Sequence, residues 1–227
     1  MRVDIVADSA DRDPGYVGER LIDAHGARLV FHDRDQPCSP EGFDGSELVL
    51  LLGSARSAHS ELQIATVEAE AELVRRSLDS GTPVMGICYG AQLMAHALGG
   101  TVGKSDRPEI GWFGLQSNDR VLCPQGPWTQ FHSDSFTAPP TARELGTTAS
   151  GCQGFADENR MARAIGWQFH PEVTTERFTM WVERLREYCL RHGANPDDLI
   201  LEAESHEDEL RQAAYELTDA ALNWLLT

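Results

Sequence analysis

A strand, a tight turn and a helix follow one another near the middle of the chain, and together they constrain its fold most. Residues 83–87 form a short apolar run of strand length, and residues 91–98 have the composition of a helix that stops at two glycines. Cys88 lies in the sharp turn between them, and Gly86 and Gly90 flank it where side chains would crowd the backbone. The pattern predicts a nucleophile elbow that carries sulfur, next to a helix N-terminus that stabilises negative charge.

The first half of the chain alternates strand-like and helix-like segments. Strands are predicted at residues 1–6, 28–31, 47–52 and 83–87, and helices at 15–25, 61–80 and 91–98. Residues 47–52 are almost continuously apolar, which is typical of a central parallel strand covered on both faces. Residues 34–44 contain two prolines and predict a loop. This alternation predicts an α/β fold with a mostly parallel central sheet and helices on both faces.

The second half is less regular. Residues 101–164 are rich in glycine, proline and short apolar runs, which predicts antiparallel strands and loops added to the sheet. Residues 164–169 predict the last strand. Two amphipathic helices then close the chain, one ending near Gly193 and one running to the C-terminus, with a capping box predicted at residues 205–208.

Two short motifs carry a resemblance to a known family. Residues 86–92 read Gly-Ile-Cys-Tyr-Gly-Ala-Gln, and residues 168–172 read Gln-Phe-His-Pro-Glu. In this order the pair resembles the class I (triad-type) glutamine amidotransferases, in particular stand-alone glutaminase domains like that of GMP synthase. The resemblance implies a flavodoxin-like fold for a glutaminase domain at residues 1–195, with a C-terminal helical extension at 196–227.

The same resemblance, together with residue chemistry, assigns a catalytic triad. Cys88 is the expected nucleophile, and it would form a γ-glutamyl thioester with glutamine. His170 would take the thiol proton and later protonate the departing ammonia. Glu172 would orient the imidazole, because residues i and i+2 of an extended segment project to the same side. The alternative is a buried cysteine without a chemical role.

An oxyanion site is also expected. The backbone N–H of Tyr89 lies at the helix start, and a second donor is expected from Gly53, after the central strand. Many family members carry consecutive glycines and prolines in this loop, whereas this chain has Gly53-Ser54-Ala55-Arg56. The alternative for Gly53 is an ordinary strand-ending glycine.

Three further residues are expected to bind substrate by resemblance. Gln92 follows the elbow where the family contacts bound glutamine, and Ser133 and Asp134 lie in the segment whose backbone receives its α-amino and α-carboxylate groups. The alternatives are a helix-surface residue and a polar turn without a ligand. For the neighbouring His132 we expect a structural or pocket-lining role.

Charge and cysteine usage exclude several classes of partner. The net charge is −17, with 36 acidic and 19 basic residues, which disfavours nucleic acid and anionic membranes as partners. The five cysteines are widely spaced, so neither a disulfide framework nor a metal site is expected. The first residues lack the pattern of a signal peptide, and no apolar run is long enough to span a bilayer, so we expect a cytoplasmic protein. We also expect no cofactor.

These expectations combine into a glutamine amidotransferase that hydrolyses L-glutamine and supplies ammonia to a separate synthase or ligase subunit. One alternative is a stand-alone hydrolase of γ-glutamyl amides or peptides, and another is a catalytically silent regulatory subunit. The apolar face of the last helix must be buried. Its own domain, a second copy in a homodimer and a synthase are the candidates to cover it.

Overall fold

The computed structural model describes residues 1–36 and 43–227 and is built around an eight-stranded sheet. The strands are β1 (Arg2–Ala7), β2 (Arg28–Asp33), β3 (Leu48–Leu51), β4 (Val84–Ile87), β5 (Val102–Phe113), β6 (Gln116–Ser117), β7 (Trp128–Phe136), β8 (Arg143–Thr148), β9 (Gly151–Asp157) and β10 (Ala164–Trp167). The sheet order is β2-β1-β3-β4-β10-β9-β8-β6, and its first five strands are parallel. The predicted α/β class with a mostly parallel sheet is confirmed.

Helices cover both faces of the sheet. They are α1 (Gly15–His25), α2 (Ile64–Asp79), α3 (Tyr89–Ala97), α4 (Thr175–Arg184), α5 (Arg186–Arg191), α6 (Pro196–Ser205) and α7 (Glu207–Leu225). Both faces of the sheet need a cover, because the side chains of β3 alternate between two apolar cores. Leu48 and Leu50 belong to the cluster that includes residues of α1 and α7, whereas Val49 and Leu51 belong to the cluster under α2 and α3.

The middle of the chain departs from the prediction in one respect. Strands β6, β8 and β9 extend the sheet in antiparallel fashion, as expected. Strands β5 and β7 instead pair only with each other, forming a separate two-stranded ribbon whose register shifts between Lys104 and Glu109. Ile110 of this ribbon packs in a third apolar cluster with residues of α4 and α6, so the ribbon is covered by the closing helices rather than by the sheet.

The closing helices also differ from the sequence pattern. Helix α6 was not anticipated: Asn195 caps it by accepting from the Asp197 N–H, and Pro196 occupies its first position. The predicted capping box is absent, because the Ser205 hydroxyl donates to Glu202 O at the end of α6 and His206 precedes α7 without a side-chain cap. The first of the two predicted closing helices, the one that ends near Gly193, is divided at Leu185 into α4 and α5.

Helix α7 packs on its own domain. Leu217, Leu222 and Leu225 lie in the core cluster shared with α1 and the sheet. At the edge of this contact, Arg20 binds both carboxylate oxygens of Asp219 at 2.9 and 2.6 Å. The apolar face expected to need a cover therefore has one within the chain.

Two features discussed from the sequence involve residues outside the described ranges. Part of the loop predicted at 34–44 lies outside the described residues, and so does Cys38. Among the residues described, no helix is both long and apolar enough to cross a membrane.

Replacing Leu222 by alanine tests whether residues 196–227 form a cooperative unit with the sheet. Leu222 is 1% exposed, so we expect Leu222→Ala to lower the free energy of unfolding by about 2–5 kcal/mol. Leu201→Ala is the matched control, because Leu201 is 64% exposed and its loss should change stability by no more than about 0.5 kcal/mol. Both are measured by urea unfolding, and equal small effects would contradict a shared core.

Candidate active site

Cys88 occupies a strained backbone conformation between β4 and α3. Its φ of 51° and ψ of −110° make it the only non-glycine with positive φ among the described residues. Its N–H donates to Trp167 O of β10 at 2.7 Å, and its C=O accepts from Gln92 N. A Cβ on Gly90 would lie 2.2 Å from Leu51 O, so only glycine lets α3 approach β3 this closely. The predicted elbow geometry is present.

His170 and Glu172 lie beside the elbow after β10. The Nδ1–H of His170 donates to Oε1 of Glu172 at 2.7 Å, and the His170 N–H donates to Thr129 O. The Trp181 ring packs edge-on against the imidazole with centroids 5.0 Å apart. This arrangement leaves Nε2 of His170 as the nitrogen available for proton transfer.

The charge state of His170 depends on its two neighbours. Burial lowers the pKa of the imidazole, but the Glu172 carboxylate and the Cys88 sulfur raise it by more, so the pKa lies well above its ordinary value. Nε2 is buried and has no hydrogen bond of good geometry, although the Cys88 sulfur lies near enough to act on its charge. The raised pKa favours a protonated imidazole beside the Cys88 sulfur.

Gly53 lies directly over these two side chains. A Cβ at this position would be 3.1 Å from His170 Cε1 and 3.6 Å from Cys88 Cβ. The Tyr89 N–H lies in the first turn of α3, where N–H groups have no partner within the helix. The structure thus places Gly53 and Tyr89, the two residues expected to supply oxyanion donors, next to Cys88.

A chain of buried amides contacts the Cys88 sulfur. Nε2 of Gln92 donates to Gln168 Oε1 at 3.1 Å, and Nε2 of Gln168 donates to Cys88 Sγ at 3.6 Å. Both glutamines are fully or almost fully buried. Sequence reasoning assigned no role to Gln168, and its place immediately before the Phe-His-Pro-Glu run was the available signal. The Gln92 side chain therefore reaches the sulfur through Gln168.

The two residues expected to bind substrate on β7 lie differently. Asp134 is buried; its Oδ2 accepts from Ser57 Oγ at 2.6 Å, and its backbone O lies 3.4 Å from Gln92 Nε2. Ser133 alternates with it along the strand and projects from the other face. His132 uses both ring nitrogens, with Asp134 O and Glu109 Oε2, which suits a structural role.

The remaining described cysteines lie in environments that suppress reactivity. Burial raises the pKa of Cys123 and of Cys152 to about 12 and also raises that of Cys189. Within residues 1–36 and 43–227, no group of three or more histidine, cysteine or acidic side chains could hold a metal ion. Cys88 is therefore the described thiol that the fold places beside a base.

Comparisons with known proteins agree with this geometry. A family model described as glutamine amidotransferase class-I matches residues 40–185. The GMP synthase (glutamine-hydrolyzing) of Bordetella parapertussis is 33% identical over 178 residues, which is 70% of this chain and 32% of that protein. The enzyme of the same name from Geobacillus kaustophilus is 36% identical over 130 residues, or 55% of this chain and 24% of that protein. The chain thus spans only about a quarter to a third of these relatives.

Solved structures show the same fold. A glutamine amidotransferase from Thermotoga maritima superposes with a TM-score of 0.80 at 25% identity, covering 96% of both chains. A glutamine amidotransferase from Methylobacillus flagellatus gives a TM-score of 0.77 at 21% identity, covering 99% of this chain and 95% of that one, which is a likeness of fold.

The pKa of His170 should fall when the Glu172 carboxylate is removed. Burial lowers this pKa, and in Glu172→Gln the carboxylate that raises it is gone. NMR titration of the imidazole measures the change. Stability follows with a defined sign: a raised folded-state pKa stabilises the protein fully below the unfolded value of about 6.5, and this contribution is lost as pH rises through the folded value.

Urea unfolding from pH 6 upward should therefore show this loss in the wild type and a smaller loss in Glu172→Gln. Glu68→Gln is the matched control, since it removes the acid of a surface His–Glu pair with His96. An unchanged His170 pKa in Glu172→Gln would contradict the assigned cause.

Proposed function

The chain belongs to the class I glutamine amidotransferases, and from that premise we propose that it hydrolyses the side-chain amide of L-glutamine through a γ-glutamyl thioester on Cys88. The observation that carries the proposal is the convergence of Cys88, His170 and Glu172 beneath Gly53, at the carboxyl ends of adjacent parallel strands.

The first half of the reaction forms the thioester. The Cys88 thiolate attacks the amide carbon, and the carbonyl electrons move to oxygen, where the N–H groups of Gly53 and Tyr89 stabilise the charge. The protonated His170 then gives its Nε2 proton to the leaving nitrogen as the C–N bond breaks. Ammonia departs, and the γ-glutamyl group stays on sulfur.

The second half releases glutamate. Neutral His170 removes a proton from water, and the resulting hydroxide attacks the thioester carbon through a second oxyanion. The C–S bond breaks, Cys88 leaves as thiolate, and His170 retains the proton for the next cycle. Glu172 holds the ring so that Nε2 faces the reacting atoms throughout.

We propose further that the ammonia passes to a separate synthase or ligase. The name of the relatives couples glutamine hydrolysis with a synthase, and this chain matches only 24% and 32% of their lengths in the two cases above. Residues 40–185, which the family model matches, contain the elbow and the Phe-His-Pro-Glu segment. This supports a glutaminase whose product is consumed by a different structural unit.

Removing the nucleophile gives the direct test. Cys88→Ala should lower glutamine hydrolysis by on the order of 10⁴-fold or more, because no thioester can form. Ammonia release is followed in a coupled assay, with thermal unfolding as a check that the fold is kept. Turnover by pure, folded Cys88→Ala would contradict the assignment.

The same assay decides between glutamine and other γ-glutamyl compounds. The proposal expects a higher kcat/KM for L-glutamine than for a γ-glutamyl dipeptide, since a shared triad would act on both but the site would be built for one. A higher value for the dipeptide would favour the stand-alone γ-glutamyl hydrolase. Inertness of wild-type Cys88 towards both would favour a silent regulatory subunit.

The base and its orienting acid should differ in importance. His170→Ala should slow hydrolysis by about 10²–10⁴-fold, the range for a positioned acid–base group, and Glu172→Gln should slow it less. The reason is that glutamine at 172 can still accept from Nδ1–H. Steady-state kinetics on the two folded variants measures the order, and the reverse order would refute these roles.

A further inference from the structure

Arg34 is a buried cation that binds both charged and backbone partners. Its side chain has no solvent exposure, and its Nε donates to Glu70 Oε1 at 2.8 Å. Its Nη1 lies 3.3 Å from Asp8 Oδ1. Burying an ion pair is a poor way to gain stability, since desolvation offsets the attraction. The position of Arg34 therefore asks for another explanation.

The backbone partners of Arg34 lie in the loop that follows β3. Nη2 donates to Leu52 O at 2.9 Å, and Nη1 donates to Gly53 O at 3.2 Å. The Leu52 C=O and the Gly53 N–H belong to one planar peptide group. A guanidinium that holds this C=O therefore fixes the direction of the Gly53 N–H and also polarises it.

The other expected oxyanion donor is linked to the same cation. The Tyr89 ring stacks on the Arg34 guanidinium, whose central carbon is 4.6 Å from the ring centroid. The Tyr89 hydroxyl donates to Glu70 Oε2 at 3.1 Å, so Glu70 bridges the tyrosine and the arginine. Burial raises the pKa of Glu70, while Arg34 and the Tyr89 hydroxyl oppose the rise. One guanidinium thus touches both residues whose N–H groups would face the oxyanion.

We propose that Arg34 is the positioning residue of the oxyanion site. It donates to the C=O of the Leu52–Gly53 peptide and stacks on the Tyr89 ring. These two contacts fix the directions of the Gly53 and Tyr89 N–H groups, so that both point towards the developing charge. Donors fixed in advance need no reorganisation when the charge forms. The loop itself reads Gly53-Ser54-Ala55-Arg56, and Arg34 binds it from another segment of the chain. The inference rests on the proposed function.

Arg34→Lys is the principal test, because it keeps the charge but loses the fork that reaches two carbonyls. Three reactions at Cys88 are compared. Glutamine hydrolysis and acylation by 4-nitrophenyl acetate both develop an oxyanion, the latter as sulfur attacks the ester carbon and 4-nitrophenolate leaves. Alkylation by iodoacetamide, in which the thiolate displaces iodide, develops none. Alkylation is quantified on the Cys88 peptide by mass spectrometry, and ester acylation is corrected for the rate of Cys88→Ala.

The expected result is a split between these reactions. Both acyl transfers slow by about 10- to 100-fold, less than the 10²–10³-fold for removing a donor outright, with the loss in kcat rather than KM. Alkylation stays within about twofold of wild type, since it depends on the thiolate and not on the oxyanion site. Arg143→Lys is the matched control, because Arg143 pairs with Asp119 on the surface and should leave all three rates unchanged.

Other outcomes overturn the proposal. They are unchanged acylation in folded Arg34→Lys, and alkylation that slows in parallel with acylation, which indicates a general structural role. If Arg34→Lys does not fold, Arg34→Met/Glu70→Gln removes both charges together and is measured instead; unfolding of both variants also overturns the proposal. A wild-type protein that reacts with 4-nitrophenyl acetate but not with glutamine refutes the proposed function alone. The role of Arg34 is then tested by comparing ester acylation of Cys88 in wild type and Arg34→Lys. Failure with both substrates refutes both inferences.

Discussion

The backbone of Cys88 is the constraint on which the rest of the site depends. A φ of 51° costs a residue other than glycine on the order of 1–3 kcal/mol, so the surrounding structure must hold Cys88 in this conformation. The hydrogen bond from its N–H to Trp167 O ties β4 to β10, and the close approach of Gly90 to Leu51 ties α3 to β3. Because β3, β4 and β10 are neighbours and parallel, their carboxyl ends deliver Gly53, Cys88 and the segment before His170 to one place.

Hydrogen-bonded amide side chains are buried in this part of the protein. Gln130 donates to Gln153 Oε1, Gln153 donates to Glu109 Oε2, and a separate chain leads from Gln92 through Gln168 to the sulfur. Buried amides of this kind are costly if they lose a partner, so they restrict the side chains to few arrangements. The Cys88 sulfur consequently contacts a chain of hydrogen-bonded amides that has few alternative arrangements.

Contiguous patterns explain how much was predictable. The apolar runs and the elbow are local signals, and the parallel sheet followed from them. The meeting of Cys88 with His170 and Glu172 followed from the resemblance of the two motifs to the family. The face of β7 on which Ser133 lies depends on strand register, which no local pattern reports. Helix α6 carried a signal in Asn195 and Pro196, but its short apolar run obscured the helical period.

Arg34 was beyond prediction for a different reason. In sequence it is one charge among several in a polar segment, which is the usual appearance of a solvated loop. Its burial depends on partners far along the chain, Leu52 and Glu70, which come together only when β3 and α2 are in place. Buried polar networks of this type are assembled by topology, and sequence spacing does not report them.

The anchoring of Glu172 links the site to the start of the chain. Its backbone O accepts from the Tyr16 N–H at 2.9 Å, and a Cβ on Gly15 would lie only 1.9 Å from the same oxygen. Helix α1 therefore begins against Glu172, the proposed triad acid, and further along the same helix Arg20 binds Asp219 of α7. The carboxylate that accepts from the imidazole is held in place by the first helix, and that helix is held by the last one. The proposed chemistry at Cys88 would thus depend on the whole tertiary structure, and the two short motifs alone, transplanted to another scaffold, would lack the contacts that hold Glu172.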